Sequence, residues 1–294
     1  MRTVLNWWRH ASHKPTTIFM ILMYVLSCLV FLPQYFSWSG VGLFLLFYWI
    51  SGGLGITLCY HRLLTHRSFQ TSVWTQCLLL LSASLAWQGS PLKWVSEHRT
   101  HHNHSDKKGD VHSPIHPIRD FWYAQIIWIL EKDPDGYDCL SNTKDLQKSS
   151  VLMWFHRWWW MPQVILAAVL LVIGYQVGGS QLAVSWLFWG VIARTVVVLT
   201  TTNWVNSFCH LWGKQPFNTG DGSRNSWWVA LVSFGEGNHN THHFIPGSAA
   251  HGLRWYHFDT TYLTICILEK CKLVWNVKHP KPLLASKGVL HVLE

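Results

Sequence analysis

Four long apolar stretches divide the chain, at about residues 17–33, 41–60, 158–177 and 182–202. They are nearly free of charge, and the last one contains a single charged residue, Arg194. A membrane-spanning helix needs about 20 mostly apolar residues, with a range of roughly 17–25. The pattern therefore predicts four membrane-spanning helices, because a soluble protein rarely has so many core helices of this kind.

A fifth apolar segment, residues 73–88, lies between two clusters of histidine. If it crossed the membrane, it would place those clusters on opposite sides, where they could not share one site. It is also short for a span. We therefore expect a re-entrant or interfacial helix at this position.

Lysine and arginine mark the cytoplasmic side of membrane proteins. The connectors 33–40 and 174–181 contain neither residue, whereas the N-terminus and residues 62–67 and 93–157 are basic. We expect a single all-α membrane domain over residues 1–294, with its helices in two hairpins. Both termini and a helical cap, formed by residues 61–157 and 203–294, should lie on the cytoplasmic side.

The composition supports a membrane protein and excludes two other classes. Hydrophobic residues make up 49% of the chain and charged residues only 13%, against about 25% charged in a soluble domain. The net charge of +9 fits a basic face against anionic lipid, so we expect no nucleic-acid partner. The seven cysteines contain no CxxC pair and no paired spacing, so we expect them to be reduced and structural and not a disulfide scaffold.

Nineteen histidines are more than packing requires, and eight of them form three clusters. The clusters are His61 with His66, then His98, His101 and His102, and finally His239, His242 and His243. Residues three and four apart share one face of a helix, so each HxxHH is expected to direct three imidazoles at one point. Asn206 and His210 end the last apolar stretch with the same spacing.

These nine histidines and one amide predict a metal site outside the ends of the spans. Imidazole suits zinc, copper, iron and nickel. A zinc site uses only three or four protein ligands, so nine histidines indicate two metal ions. For four of the ten other histidines, supporting or surface roles are favoured over ligation: His104, His112, His116 and His251. A metal transporter is the alternative from another class, but transporters place ligands near the membrane midplane.

Several motifs, in this order, resemble the membrane fatty acyl desaturases of the stearoyl-CoA and the cyanobacterial or plant delta-9 type. They are HRLLTHRSF, WQGSPLKWVSEHRTHH, NSFCH, GEGNHNTHH and AAHGLRWYHFDTTYLTICIL. The resemblance runs from about residue 40 to 275. It implies two iron ions that use dioxygen to remove two hydrogens from neighbouring methylenes. Zinc could replace iron in purified protein.

The resemblance also implies roles for individual residues. The metal ligands would be His61, His66, His98, His101, His102, His210, His239, His242 and His243, with Asn206 acting through a water. Glu236 would support a ligand from behind. Gln88 and Trp94 match family positions near the bent acyl chain, whereas Asn203 and Asn238 stand where the family carries aromatic residues. Trp49 and Gly53, twelve and eight residues before His61, would close the far end of the tunnel.

Several alternatives stay open at this point. The acyl group could be linked to a glycerolipid, to CoA or to a carrier protein. The enzyme could instead be a desaturase or acetylenase acting on a shorter acyl group bound to a carrier protein, or a hydroxylase with histidine boxes. No electron-transfer domain is recognisable in the sequence, so an external donor such as ferredoxin or cytochrome b5 is expected.

Overall fold

The structure is a computed structural model that describes residues 14–114, 120–131 and 138–293. The basic N-terminal residues Arg2 and Arg9, and also His116, lie outside the described residues. Twelve α-helices are numbered here in chain order: α1 (Lys14–Ser27), α2 (Trp38–Tyr48), α3 (Val73–Ser84), α4 (Pro91–His104), α5 (Trp128–Leu130), α6 (Ser150–Trp158), α7 (Met161–Leu187), α8 (Arg194–Leu211), α9 (Trp227–Val232), α10 (His239–Phe244), α11 (Thr260–Lys270) and α12 (Pro280–Ser286).

Other helical and strand segments connect these helices. The wider, π-type segments are Trp49–Thr65, Tyr123–Ile127 and Phe188–Ala193, and the 3-10 turns are Cys28–Phe31, Pro33–Tyr35 and Leu290–Leu293. Strands β1 (Gln70–Thr71) and β2 (Val274–Trp275) pair antiparallel, with Gln70 opposite Trp275. This small sheet fastens the C-terminal part of the chain to the segment that follows His66.

Two continuous helical stretches are long and apolar enough to cross a membrane, within the part of the chain that the structure describes. Trp38–Thr65 has 28 residues and Met161–Leu211 has 51 residues. Pro15–Phe31 and Val73–Ser84 are shorter apolar helices. The chain is thus mostly helical with two candidate membrane helices, and the four-span count stays a prediction.

The longer stretch turns back on itself at two glycines. Gly178 and Gly179 leave the helical conformation, and Gly179 has φ 72° and ψ −168°, which favours glycine. A Cβ added at Gly174 would lie 2.8 Å from the Cα of Ala183, although nine residues of straight helix would separate them by roughly 13 Å. Met161–Leu211 is therefore a hairpin with two closely packed arms.

Helix α3 packs with its backbone against the segment Trp49–Thr65. A Cβ added at Gly55 would lie 2.5 Å from the Cα of Ala83, so the glycine permits this close approach. Such contacts between small residues are typical of helices packed in membranes. The Ser72 hydroxyl caps the start of α3 by accepting a hydrogen bond from the Thr75 amide, at 3.2 Å.

The buried Arg194 ties α3 to the hairpin. Its guanidinium donates to the carbonyl of Leu85, directly after α3, and to the Gln163 side chain at 2.7 Å. A cation near a helix C-terminus interacts favourably with the helix dipole. The one charged residue of the last apolar stretch is therefore satisfied within the protein.

Candidate metal centre

Nine histidines from four elements meet at the end of the Trp49–Thr65 segment. They form two groups, and within each group the potential ligand atoms lie within 4.8 Å of one another. The first group contains His61, His66, His98, His102 and His242; the second contains His101, His210, His239 and His243. We keep the names first group and second group below.

Both HxxHH motifs divide between the two groups, so they do not aim three rings at one point as the spacing suggested. His98 and His102 join the first group, while His101 joins the second. The geometry of the helix gives the reason. At 3.6 residues per turn, positions i+3 and i+4 are about 100° apart around the axis. Each motif thus fans its imidazoles across two neighbouring sites, and α10 and α4 each contribute to both.

The ring nitrogens inside each group are in close contact. In the first group, Nε2 of His102 lies 2.9 Å from Nε2 of His242 and 3.0 Å from Nε2 of His98. In the second group, Nε2 of His239 lies 3.0 Å from Nε2 of both His210 and His243. Several imidazoles therefore present the same nitrogen towards one common point.

Four carboxylates hold the outer nitrogens of these rings. Nδ1 of His61 lies 2.7 Å from Glu236, and Nδ1 of His101 lies 3.0 Å from Asp110. Nδ1 of His210 lies 3.0 Å from Asp106, and Nδ1 of His243 lies 2.8 Å from Asp221. A carboxylate in this position fixes the tautomer with the proton on Nδ1 and makes the imidazole a stronger ligand.

The donor set fits metal ions. Once Nδ1 carries the proton, Nε2 presents only a lone pair, and lone pairs about 3.0 Å apart repel each other unless a cation lies between them. The nitrogens cannot all be satisfied by hydrogen bonds among themselves. The residues present therefore match what two histidine-bound metal ions require.

Burial keeps these imidazoles in the neutral form that binds metal. In the first group, burial lowers the pKa of His66, His98, His102 and His242 well below the ordinary value, and neighbouring histidines lower it further. In the second group, burial lowers the pKa of His243 to about 4, although Asp221 opposes the shift.

The carboxylates remain ionised. Burial alone would raise the pKa of Asp110, but its hydrogen bond to His101 holds the pKa below the usual range. Asp221 has a lowered pKa for the same reason, since its hydrogen bond to His243 outweighs burial. The imidazole ligands are thus neutral and the supporting carboxylates are negative, which is the distribution of charge that a divalent metal ion favours.

Glu236 belongs to a buried ionic network. Its Oε1 accepts from Arg62 at 3.4 Å, and Arg62 also donates to Asp259 at 2.8 Å. Nδ1 of His251 lies 3.2 Å from Glu236 Oε2. Asp259 in turn caps helix α11 through the amide of Tyr262. This network fixes the position of Glu236 behind His61, where the sequence had placed it by resemblance.

An apolar cavity runs from both histidine groups towards the apolar helices. His61, His98 and His239 line it at one end, and Gly52 and Phe234 line it further along. Ile56, Val198 and Val205 provide apolar walls, and Asn206 also faces the cavity. The reactive end of this space is thus a wall of imidazoles, while the rest suits a hydrocarbon.

Of the six predicted tunnel residues, Trp94 lines the cavity, and Gln88 lies behind it. Trp94 lines it and stacks on His98, with ring centroids 5.1 Å apart. Gln88 accepts from the Trp94 indole and donates to Thr202 at 2.9 Å. Asn238 instead donates to the backbone carbonyls of Gly235 and Phe258, and the Asn203 side chain accepts from Asn206 at 3.4 Å.

Trp49 and Gly53 lie beside each other and are not among the residues that line the cavity, although a Cβ added at Gly53 would lie 3.6 Å from the ring of Phe234, which does line it. The Trp49 side chain is 41% exposed, and a Cβ added at Gly53 would lie 3.2 Å from its ring. Gly52, the neighbouring residue, is the one that faces the cavity. The role assigned to Trp49 from the sequence stays a prediction, and the structure offers another residue for it, discussed below.

Sequence reasoning missed three of the four supporting carboxylates. Asp106, Asp110 and Asp221 hold ligands, but they lie in turns outside the motifs. A signal existed, because Asp106 and Asp110 come within eight residues of His102. Of the undecided histidines, His112 is buried with its ring centroid 4.5 Å from that of His101, and His251 is 4.4 Å from His242; His104 is exposed.

The family described as "Fatty acid desaturase" matches residues 36–265, which is most of the chain. The matched region includes all nine histidines and Glu236. It also includes the three carboxylates of the second group.

Individual relatives are similar along nearly the whole chain. The "sn-1 stearoyl-lipid 9-desaturase" of Anabaena variabilis is 41% identical over 262 residues, covering 89% of this chain and 92% of that protein. The "sn-2 palmitoyl-lipid 9-desaturase" of Nostoc sp. (strain 36) is 37% identical, covering 87% of each. The "Icosanoyl-CoA 5-desaturase" of Limnanthes douglasii is 38% identical, covering 95% of this chain and 77% of that protein.

Proposed function

Because this chain belongs to the fatty acid desaturase family, we propose that it forms a delta-9-type double bond in a fatty acyl chain at two iron ions. As a member of that family it is an oxidoreductase that desaturates fatty acyl chains. The observation that carries the proposal is the apolar cavity, which ends against His61 and His98 of the first group and His239 of the second. An acyl chain in this space would pass directly beneath both metal positions.

The nine histidines would hold the two ions, one ion in each group. Asn206 lies four residues before His210 and faces the cavity, so it would hold a water at the second group. When bound, the irons supply the activation of dioxygen that breaking an unactivated C–H bond requires, which side chains alone cannot provide. The protein could be isolated with zinc, because zinc binds such nitrogen sites at least as well as ferrous iron.

The chain's own residues bind, orient and shield the substrate. Ile56, Val198 and Val205 exclude water from the acyl chain, which suppresses side reactions. Trp94, held by its hydrogen bond to Gln88, forms a rigid wall next to His98. The overall reaction balances as two hydrogens removed and one C=C bond formed, while dioxygen, two electrons and two protons give two waters. The electrons come from an external donor such as ferredoxin or cytochrome b5.

The membrane arrangement is part of the same proposal. With its turn at Gly178–Gly179, the 51-residue stretch would form two spans, and Trp38–Thr65 with the Pro15–Phe31 helix would make two more. Four spans return the chain to the starting side, so all histidines would face the cytoplasm. Helix α3 would enter the membrane from that side without crossing it.

The names of the relatives favour a lipid-linked substrate. Two of them are stearoyl-lipid and palmitoyl-lipid 9-desaturases, whereas the third is named for a CoA ester and position 5. We propose a membrane glycerolipid as the carrier of the acyl chain. A CoA ester is the second candidate, on the strength of the Limnanthes relative.

Expression in a host without its own acyl desaturase, followed by lipid analysis, tests the function. We expect monounsaturated chains with the bond at position 9, found first in the membrane lipids. The negative control is the His101→Ala variant, compared at equal protein level. Hydroxylated products would contradict the proposal, as would a lack of unsaturated product from well-expressed protein supplied with an electron donor.

A further inference from the structure

Part of the cavity lining is a contact between a loop and a helix. Gly52 belongs to the Trp49–Thr65 segment, and Phe234 belongs to the turn between α9 and α10; both line the cavity. A Cβ added at Gly52 would lie only 2.8 Å from Cε2 of Phe234. The phenyl ring therefore rests directly on the helix backbone and fills the notch that the absent side chain leaves.

Phe234 is held in this position at a conformational cost. Its φ is +58°, a left-handed conformation that is uncommon for a bulky residue. Such conformations persist only where the surroundings enforce them, and they concentrate at functional positions. The enforcing contact on the backbone is the amide of Thr261, which donates to the Phe234 carbonyl at 3.2 Å.

Tyr48 braces the ring from the other side. The two ring centroids are 5.0 Å apart. The Tyr48 hydroxyl donates to the carbonyl of Val232 and lies 3.3 Å from Thr201 Oγ1, so it connects the start of the loop to the helix. The phenyl ring is thus clamped between Gly52 and Tyr48 and cannot swing away without breaking this arrangement.

We infer that Phe234 is the floor of the acyl tunnel and sets the maximum length of the substrate's methyl end. This rests on the proposed function, and it deepens it by naming the residue that selects chain length. Gly52 lies nine residues before His61, a distance of at most roughly 13 Å along the helix axis. An extended alkyl chain advances about 1.25 Å per carbon, by the bond geometry that also limits chain reach. Not more than about ten carbons fit between the metals and the floor.

The distance between the metals and the floor indicates which acyl chains the enzyme would accept. A chain desaturated at position 9 with about eight carbons beyond the new bond has roughly 18 carbons. Trp49, in contrast, is 41% exposed and meets Gly53 on the adjacent face of the helix. Trp49 is not among the residues that line the cavity, whereas Phe234 is, and we therefore assign the floor to Phe234 and not to Trp49.

Two substitutions with opposite effects test the floor in the full-length enzyme. Phe234→Ala opens the end, and we expect the ratio of 20-carbon to 16-carbon products to rise about tenfold, the order that a pocket discriminates by a methylene or more. Gly52→Ala pushes the ring towards the substrate, and we expect the ratio to fall. The double variant should recover the longer preference, because the added methyl group no longer meets a ring.

Controls separate the possible failures. Cells receive an equal mixture of saturated fatty acids of 14 to 20 carbons, and products are counted against protein level. Leu46→Ala, whose side chain is 50% exposed, should keep the normal profile. Active Phe234→Ala or Phe234→Leu with an unchanged profile would overturn the inference while the proposed function stands. If the chain-length profile shifted in Trp49→Ala but in neither Phe234 variant, the tunnel floor would be Trp49 and the inference would be wrong. No unsaturated product from the unmodified chain would refute both proposals together.

Discussion

The two histidine groups reach the same kind of site by different means. The first has five imidazoles, and among the described residues one carboxylate, Glu236, lies behind it. The second has four imidazoles and three carboxylates, which lie behind His101, His210 and His243. The first group has more imidazole ligands, whereas in the second group three of the four ligands are supported by a carboxylate.

This difference predicts different sensitivities. A carboxylate that accepts from Nδ1 orients the ring and strengthens it as a ligand. The second group, with fewer nitrogens, should depend more on its aspartates. It is also the group next to Asn206, so it has room for a water. The first group should tolerate loss of a support better than loss of an imidazole.

The largest effect should come from removing one imidazole from each group in turn. We expect His242→Ala and His101→Ala each to lower desaturation by at least about 100-fold, since even loss of a supporting partner costs up to that much. Each variant should also lose about one metal ion per chain while still inserting into the membrane. His104→Ala, at an exposed histidine, is the matched control. Full activity of either ligand variant at equal protein level would contradict the site assignment.

Removing a supporting carboxylate should have the next largest effect, and metal binding in the two groups should respond differently. Asp110→Asn and Asp221→Asn are expected to weaken metal binding by about 10–100-fold in the second group only. Competition with a chelator, followed by metal analysis, would show one ion released early and one retained. The control is Asp145→Asn, which alters the surface pairs with Arg67 and Arg99. Equal release of both ions would show that the groups do not differ in this way.

A smaller effect is expected at Asn206. Asn206→Ala removes a group that orients a water and no metal ligand, so metal content should stay normal. Activity should fall by up to about tenfold, which is the value of one net hydrogen bond. Thr202→Val offers a neighbouring comparison on the same helix. A loss of metal in Asn206→Ala would mean that the amide binds the ion directly.

The sequence was informative where spacing within one helix decides the geometry. The separations in HxxxxH and HxxHH identified eight of the nine histidines in the two groups, and His210 followed from its distance to Asn206. The same local pattern could not reveal that His101 and His102 serve different groups, since this depends on where the partner helices stand. The division depends on helix α10, which contributes His242 to the first group and His239 and His243 to the second.

The features that the sequence did not predict are mainly contacts between distant parts of the chain. Asp221 meets His243, and Phe234 meets Gly52, through loops whose paths no local pattern specifies. Trp49 was expected at the far end of the tunnel because of the family resemblance, and that role stays a prediction. It is Gly52 that lines the cavity, which the spacing from His61 did not indicate.

Metal analysis of the purified, full-length protein tests the central claim most directly. The account predicts two ions per chain, iron or zinc according to supply, with X-ray absorption showing nitrogen and water ligands at both. It further predicts one ion per chain in His101→Ala. A single ion per chain in the unmodified protein, or a carboxylate bound directly to a metal, would contradict the account of two histidine-built sites.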